Sequence, residues 1–549
     1  MFFTEKYGRK VGSVRESSPY SDERKFQDFL EVAIVFFLSA AFYVSLYAEL
    51  PYHDVARFAD QVNSGHYVWD IAHIFLQPAT LVWHQYLGFG ESAVSSQKHI
   101  NTCATALAIA IFYALLLWLR LPCWQRIAAS LLLLASCSVI TLAPTGHMKL
   151  LAFPFVNAAL YALVVWEHGG IGNKGLILGA ILLSVAASFL ASALATAPFA
   201  TFAVLAISLR AGRGWKAALV HSVGFTTICG LIFAVLAVFG FLTFSGQPFS
   251  AQGLAASVAA KDSLRVGYFS IADNIGRAGF GTINNMIAAP DIGSVMRAWI
   301  GGYIPSLTPY SDILIREFLP WFATLVLIGV IYVGAIVAAT HATACLIPLA
   351  FLAGAQAWAA FYNLNDPEHW FQLSAPTILL FLMIFRQSAI AVILPTWTLV
   401  TVAVNTLTIA IPQALYPLDA YQSQLRGLYS SQDLLIDFAA YPGRQYLGVF
   451  DLPSVPCLSL DIVFSKNIDE TLFFATVGSE IDETLARGGK VVIFGVLDPY
   501  DWDAPWGMLT SRKMTKDKLF GFFQQNYRVV SIGKIAEIDA WQIEPIAPH

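Results

Sequence analysis

Apolar runs of bilayer length, a charge content about half the soluble norm, and a polar tail with strand-like segments predict the fold class. They point to a polytopic α-helical membrane protein of about eleven spans, with an extracytoplasmic α/β domain at its C-terminal end. Of the 549 residues, 57% are hydrophobic and 12% charged, against about 25% charged in ordinary soluble domains. A chain with so little charge needs lipid as its solvent. The net charge is −4 and no basic stripe is present, so nothing in the charge pattern calls for nucleic acid as a partner. The six cysteines (Cys103, Cys123, Cys137, Cys229, Cys345 and Cys457) form no CxxC pair, which argues against thiolate metal sites.

A spanning helix needs about 20 mostly apolar residues. The runs that approach or meet this length are 29–48, 101–119, 127–143, 150–166, 175–192, 194–209, 217–244, 320–339, 342–361, 372–385 and 389–411. Residues 1–28 are polar, with Lys6, Arg9, Lys10, Arg15, Arg24 and Lys25, and read as a cytoplasmic tail. The run from Phe29 is too long for a signal peptide and lacks a cleavage site, so it stays as an anchor. Almost no polar residue separates 175–192 from 194–209; one broken helix there would move the C-terminal domain to the other side.

Short cytoplasmic loops carry excess Lys and Arg. With the N-terminus inside, Arg120 and Arg126, then Arg210, Arg213 and Lys216, then Arg386 all fall on the cytoplasmic side. The odd helix count puts the C-terminal domain outside, in a bacterial inner (plasma) membrane on the present reading. The membrane domain is then 29–411, with outer loops 49–100 and 245–319, and the extracytoplasmic α/β domain is 412–549.

Within the first loop, His73 to Gly90 is apolar but interrupted by Gln77, Pro78, His84 and Gln85, which suits an interfacial or re-entrant helix. In the second, Lys261, Arg265, Arg277 and Arg297 among apolar residues suit amphipathic surface helices. In the tail, Tyr446–Phe450, Leu458–Phe464, Lys490–Phe494 and Tyr527–Ile532 read as strands. Ile468–Ala486 reads as a helix stopped by Arg487-Gly488-Gly489. Helix followed by buried strand suggests a doubly wound unit. No GxGxxG follows a strand, so no nucleotide site is inferred.

Charge at membrane depth is expensive, so working polar groups should gather in loops on one side. After the first span come His53, Asp54, Arg57 and Asp60, then Trp69, Asp70 and His73, then Gln77 and Pro78. Asp54, Arg57 and Asp60 have helical spacing and can share one face. A carboxylate at the mouth of a membrane cavity is a natural general base for a hydroxyl; on spacing alone a solvated, salt-bridged surface helix is the better reading. His53, Asp54, Asp70 and His73 offer oxygen and imidazole ligands for a possible divalent metal, at a spacing that fits no firm motif.

The order of these elements resembles the GT-C superfamily of membrane glycosyltransferases, closest to the lipid-A-sugar transferases and protein O-mannosyltransferases. His53-Asp54-Val55-Ala56-Arg57-Phe58 stands where that family has its Asp-Glu motif, with Val55 at the second acid. His73-Ile74-Phe75-Leu76-Gln77-Pro78 stands at its His-Pro-rich run, and Thr145-Gly146-His147-Met148-Lys149 at a short outer loop. Pro367-Glu368-His369-Trp370-Phe371-Gln372 stands at a late Arg-containing segment, with Glu368-His369 in place of the Arg.

The resemblance implies transfer of a sugar, by a hexosyl- or pentosyl-type transferase, from a polyprenyl-phosphate donor to a lipid, glycan or protein acceptor outside the membrane. It implies Asp54 as the base. Arg57, His73, His147, Lys149, Glu368 and His369 would contact donor phosphate or substrate, and Asp60 or Asp70 would be a second acid. Two rivals stand beside it: a lipid-linked glycan transporter or flippase, and a non-catalytic GT-C-like subunit of a polysaccharide assembly system. A transporter predicts charges within the spans and two related halves, neither of which is evident.

Overall fold

A computed structural model describes residues 22–48, 71–88, 90–244, 345–361, 370–385, 392–415, 427–437, 456–460, 470–494, 515–535 and 538–546. It also describes Val55, Phe58, Ala59, Val62, Thr282, Asn285, Ser423 and Val463. The chain is a helical bundle followed by a small mixed sheet. Six helices among the described residues are long and apolar enough to cross a membrane.

The bundle begins with α1 (Asp22–Val44), followed by a 3-10 turn at Ile71–His73 and α2 (Leu76–Leu87). Next come α3 (Ala93–Trp118), α4 (Cys123–Ala135) and α5 (Cys137–Leu142). A 3-10 turn at Met148–Ala152 runs into α6 (Phe153–Glu167), then α7 (Asn173–Phe189). A further turn at Ala191–Ala195 leads to α8 (Thr196–Arg210) and α9 (Gly214–Phe244). After the gap come α10 (Leu346–Phe361), α11 (Phe371–Phe385), α12 (Ile393–Asn405) and, past a π turn, α13 (Ile411–Ala414). The predicted runs match these helices in order, except 320–339, which lies outside the described residues; eleven spans are therefore not counted here.

Two boundaries move for physical reasons. α3 starts at Ala93, eight residues before the predicted span, because Ser92 caps it by accepting from Ser95 N at 3.2 Å. Its polar first turns face protein, with Ser96 and Gln97 fully buried. The single run 127–143 is broken at Ser136, whose ψ of 143° is non-helical. Conversely, 175–192 and 194–209 are two helices, parted at Leu190 in extended geometry.

Short turns join α3 to α4, α6 to α7 and α8 to α9, so these pairs run antiparallel. Their turns define one end of the bundle, the turn face, where Arg120, Arg126, Lys174, Arg210, Arg213 and Lys216 sit. Glu167 at the end of α6 accepts from Leu346 N at 3.2 Å, so α10 also starts there. α12 runs parallel to α4: Thr398 Oγ1 donates to Ala128 O at 3.0 Å and Asn405 Nδ2 to Ala135 O at 2.7 Å. The opposite end is the loop face. There Phe42 and Leu46, at the end of α1, pack with Cys137, Ile140, Ile409 and Ala410. The segment after α1 and the C-terminal domain therefore leave the bundle at the same face.

In the C-terminal domain the strand order is β2-β1-β3-β5-β4, for β1 (Leu434–Asp437), β2 (Cys457–Ser459), β3 (Val491–Phe494), β4 (Tyr527–Ile535) and β5 (Ile538–Pro545). α14 (Glu470–Ala486) and α15 (Lys516–Asn526) complete it. The doubly wound expectation holds for β2-β1-β3, which are parallel. It does not extend to β4 and β5, which are antiparallel. The two-residue link between them leaves no room for the crossover that a parallel pair needs. Leu460 and Val463 are helical, so the predicted strand 458–464 ends at Ser459; the predicted strand 446–450 lies outside the described residues.

Candidate functional site

At the loop face the 3-10 turns at 71–73, 148–152 and 191–195 meet the ends of α3, α6, α7 and α11. The chain is irregular here because each turn must reverse or enter the bundle while keeping its backbone polar groups satisfied. Phe75 N donates to Ser188 O at 3.1 Å, and His73 Nδ1 lies 3.2 Å from Phe189 O, which pins the 71–73 turn to the end of α7. Gly146 (φ +80°) lets its loop lie against α3: a Cβ there would sit 3.0 Å from Lys98 N. The next residues, His147 and Lys149, are 1% and 5% exposed. Phe153 meets Phe371 edge to face at 5.3 Å, which brings the start of α11 to the start of α6. Gln372 Nε2 donates to Ser192 Oγ at 2.6 Å.

His73, His147 and Lys149 are thus brought to one junction. Burying an ammonium in such a place requires paired charge or strong hydrogen bonds. Asp54, Arg57, Asp60, Asp70, Glu368 and His369 lie outside the described residues, but described neighbours locate their segments. Val55, Phe58, Ala59 and Val62 have i, i+3, i+4, i+7 spacing and are all buried. Phe58 packs with Leu76, Met148 and Leu151, and Ala59 and Val62 pack with Ala93. The Gln97 amide donates to Val55 O at 3.0 Å and accepts from Ala59 N at 2.9 Å. Val55, Phe58, Ala59 and Val62, which follow Asp54 and interleave with Arg57 and Asp60 in the sequence, are therefore tied to the same junction as Lys149. Ile71 follows Asp70 directly, and Trp370, which follows His369, is buried against α10 and α11.

Chemically, the junction combines cationic and imidazole groups at the end of an apolar bundle. That pattern suits an anionic headgroup whose tail stays in lipid. Among the described residues no group of three His, Cys, Asp or Glu is placed to hold a metal ion. Of the candidate metal set, His73 alone is described, and its Nδ1 faces a backbone carbonyl.

Sequence reading missed Gln97, Ser192 and Asn285. Gln97 lay at the edge of an apolar run, and its pairing with Val55 and Ala59 is a tertiary contact that no local pattern marks. Asn285 is buried in the bundle although it comes from the loop expected to lie on the surface. Gln372 was visible only as part of the late motif.

No family profile and no curated protein matches the chain. Among solved structures it is similar to ArnT from Cupriavidus metallidurans bound to undecaprenyl phosphate. That match has 10% identity and TM-score 0.45, and covers 95% of this chain and 98% of that one. The apo state of the same protein matches with 12% identity and TM-score 0.40, over 95% and 98%. The Archaeoglobus fulgidus oligosaccharyltransferase, solved with Zn and sulfate, matches with 11% identity and TM-score 0.42, over 93% and 73%. ArnT and the oligosaccharyltransferase are both members of the GT-C superfamily.

Proposed function

We propose that this chain is an integral membrane glycosyltransferase that moves a sugar from a polyprenyl-phosphate donor to a lipid, glycan or protein acceptor at the loop face. On this reading the loop face is extracytoplasmic, and the bases of the turn face lie in the cytoplasm. The observation that supports the proposal is the burial of Lys149 and His147 at the junction where His73 meets the end of α7 and to which Val55 and Ala59 are tied.

The donor's prenyl tail lies among the helices and its phosphate meets Lys149, with His147, Arg57 and His369 as further donors. Asp54 takes the proton of the acceptor hydroxyl as its oxygen attacks the anomeric carbon. The bond from that carbon to the donor phosphate breaks, and polyprenyl phosphate leaves as an anion that Lys149 holds. A positioned general base contributes about 10²- to 10⁴-fold. A hydrogen bond to a charged group contributes about 1.5–3 kcal/mol, or roughly 10- to 100-fold in affinity. Glu368, Asp60 and Asp70 orient the acceptor or serve as the second acid.

The test uses purified full-length protein in nanodiscs with labelled polyprenyl-phosphate sugars and, separately, undecaprenyl phosphate alone. Lys149→Ala should weaken binding of the lipid phosphate about tenfold or more. Asp54→Asn should retain that binding and lose transfer by at least about 100-fold. Full transfer by a well-folded Asp54→Asn protein removes Asp54 as the base. Binding of lipid phosphate by wild type without transfer of any sugar tried favours the transporter or the non-catalytic subunit.

A further inference from the structure

α4 and α5 are one apolar run broken at Ser136, and such a break strands backbone groups in the bundle interior. Two asparagines take them up. Asn405 Nδ2 donates to Ala135 O at 2.7 Å on one side of the break. On the other side Asn285 Oδ1 accepts from Ser138 N at 2.8 Å. Asn285 comes from the long segment between α9 and α10, and it is 0% exposed. Its amide nitrogen donates to Ser374 Oγ at 2.7 Å and to Trp370 O at 3.3 Å. Ser374 in turn bonds Ser136 Oγ at 3.2 Å, closing the network on the break itself. One turn earlier, Thr282 accepts from Gln356 of α10 at 3.2 Å. The Asn285 side chain therefore makes three hydrogen bonds, and they join the start of α5 to the start of α11.

Those segments are the ones that deliver candidate site residues. α5 leads, within one short loop, to His147 and Lys149. Trp370 directly follows Glu368 and His369. We propose that Asn285 is a positioning residue that fixes the spacing between the segment leading from Ser138 to Lys149 and the segment that begins at Trp370, so that it governs turnover rather than donor affinity. The role in turnover rests on the glycosyltransferase reading above; the clamp between the two segments does not. The N–H of Ser138, freed by the break, and the carbonyl of Trp370, which also accepts from Leu373 N, belong to different segments. A side-chain amide is the group that takes one and donates to the other at once. Misplacement of reacting groups by about 1 Å can cost about 100-fold in rate while leaving binding nearly intact.

The test compares wild type, Asn285→Leu, Asn285→Asp and Ser374→Ala as full-length protein in nanodiscs. The readouts are amide hydrogen exchange, binding of undecaprenyl phosphate alone, and turnover with a labelled polyprenyl-phosphate sugar. Asn285→Leu should speed exchange at both Ser138–Thr141 and Leu373–Thr377 by about tenfold or more, since it removes every bond of the clamp. Asn285→Asp keeps the oxygen that Ser138 N–H needs, so exchange should rise at Leu373–Thr377 and stay near wild type at Ser138–Thr141. Turnover should fall by about tenfold or more in Asn285→Leu, with binding of undecaprenyl phosphate changed less than about threefold. Should Asn285→Leu fail to assemble, Ser374→Ala removes the 2.7 Å bond from Asn285 and the 3.2 Å bond to Ser136 but keeps Asn285 on Ser138 N–H, so exchange should rise more at Leu373–Thr377 than at Ser138–Thr141. Unchanged exchange at both segments in Asn285→Leu overturns the clamp. Equal losses of binding and turnover overturn the positioning role. A wild-type protein that transfers no sugar sinks the glycosyltransferase reading while the exchange result still decides the clamp.

Discussion

Replacing Gly354 by alanine sets two effects of opposite sign against each other. Gly354 lies inside α10, where alanine is the better helix former by about 1 kcal/mol. Against that, an ideal Cβ at Gly354 would sit 2.5 Å from Thr196 Cα and 3.0 Å from both Thr196 N and Thr196 Oγ1. Two of these atoms belong to the backbone of the first residue of α8, so no rotamer change relieves the contact. Reaching ordinary contact at about 3.4 Å or more requires α10 to retreat from α8 by nearly 1 Å, and forcing extra volume into a packed interface costs about 1–3 kcal/mol. The steric term exceeds the propensity term, so Gly354→Ala should destabilise by up to about 2 kcal/mol. Gly224 in α9 is the control: no heavy atom of the described residues lies within 4 Å of its ideal Cβ, so Gly224→Ala should be neutral or stabilising. The assay is thermal unfolding in detergent, followed by labelling of the buried thiols Cys229 and Cys345 with a fluorescent maleimide. An unfolding midpoint for Gly354→Ala at or above that of Gly224→Ala would refute the claim that α10 and α8 touch through glycine. Because Ser192, the partner of Gln372, lies four residues before Thr196, the same variant should, on the proposed glycosyltransferase reading, also lower transfer activity.

Three further expectations concern other parts of the chain. Burial raises the Asp433 carboxyl, but the N–H groups of Lys490 and Ser430 and the Ser430 hydroxyl outweigh it and hold the carboxyl below its ordinary value. A depressed pKa adds stability that is complete above the unfolded value of about 4 and is lost as pH falls through the folded value. Exchange of the β1 and β3 amides in intact protein should therefore accelerate on acidification below about pH 4, and Asp433→Asn should flatten that dependence. At the turn face, Glu31 Oε2 accepts from Tyr113 at 2.7 Å and from Arg126 at 2.9 Å, tying α1 to α3 and α4. A Glu31→Ala/Arg126→Ala cycle should give a coupling of about 0.5–1.5 kcal/mol in detergent unfolding, and additive effects would show the tie to be idle. Tyr527 donates to Asp482 at 2.9 Å beneath α14; Tyr527→Phe should loosen α14 in exchange measurements by about one hydrogen bond, or roughly fivefold.

The spans were legible because hydrocarbon imposes one rule on every spanning segment: about 20 residues, apolar throughout. Where that rule weakens, reading weakens too. Ser95 to His99 do not look like membrane helix, yet they form the start of α3, since protein rather than lipid surrounds Ser96 and Gln97. The break at Ser136 has only the small residues Ser136, Cys137 and Ser138 to announce it. The N–H that the break frees at Ser138 is met 147 positions away, by the side chain of Asn285. In the C-terminal domain, β3 was readable from Val491 to Phe494 as a continuous apolar run. β1 is an equally buried run of three apolar residues, too short to be told from a loop. β5 alternates apolar and polar residues and is half-exposed, so its place between β3 and β4 depends on pairing that no local pattern carries.

The candidate site divides the same way. His73, His147 and Lys149 were readable because polar groups flanking spans are few and their residue types suit phosphate. That they meet follows from topology. An odd number of crossings separates each of the three 3-10 turns from the turn face, so each turn emerges on the loop face whatever its own sequence. The packing of Phe42 and Leu46 on Ile409 and Ala410 extends the same logic to the chain's far end. A helix miscount anywhere between α1 and α12 would have separated these four residues by the thickness of the bundle, roughly 30 Å. Their contact fixes the parity of the crossings without any appeal to charge bias. It sends the chain toward the C-terminal domain out of the face at which Lys149 is buried.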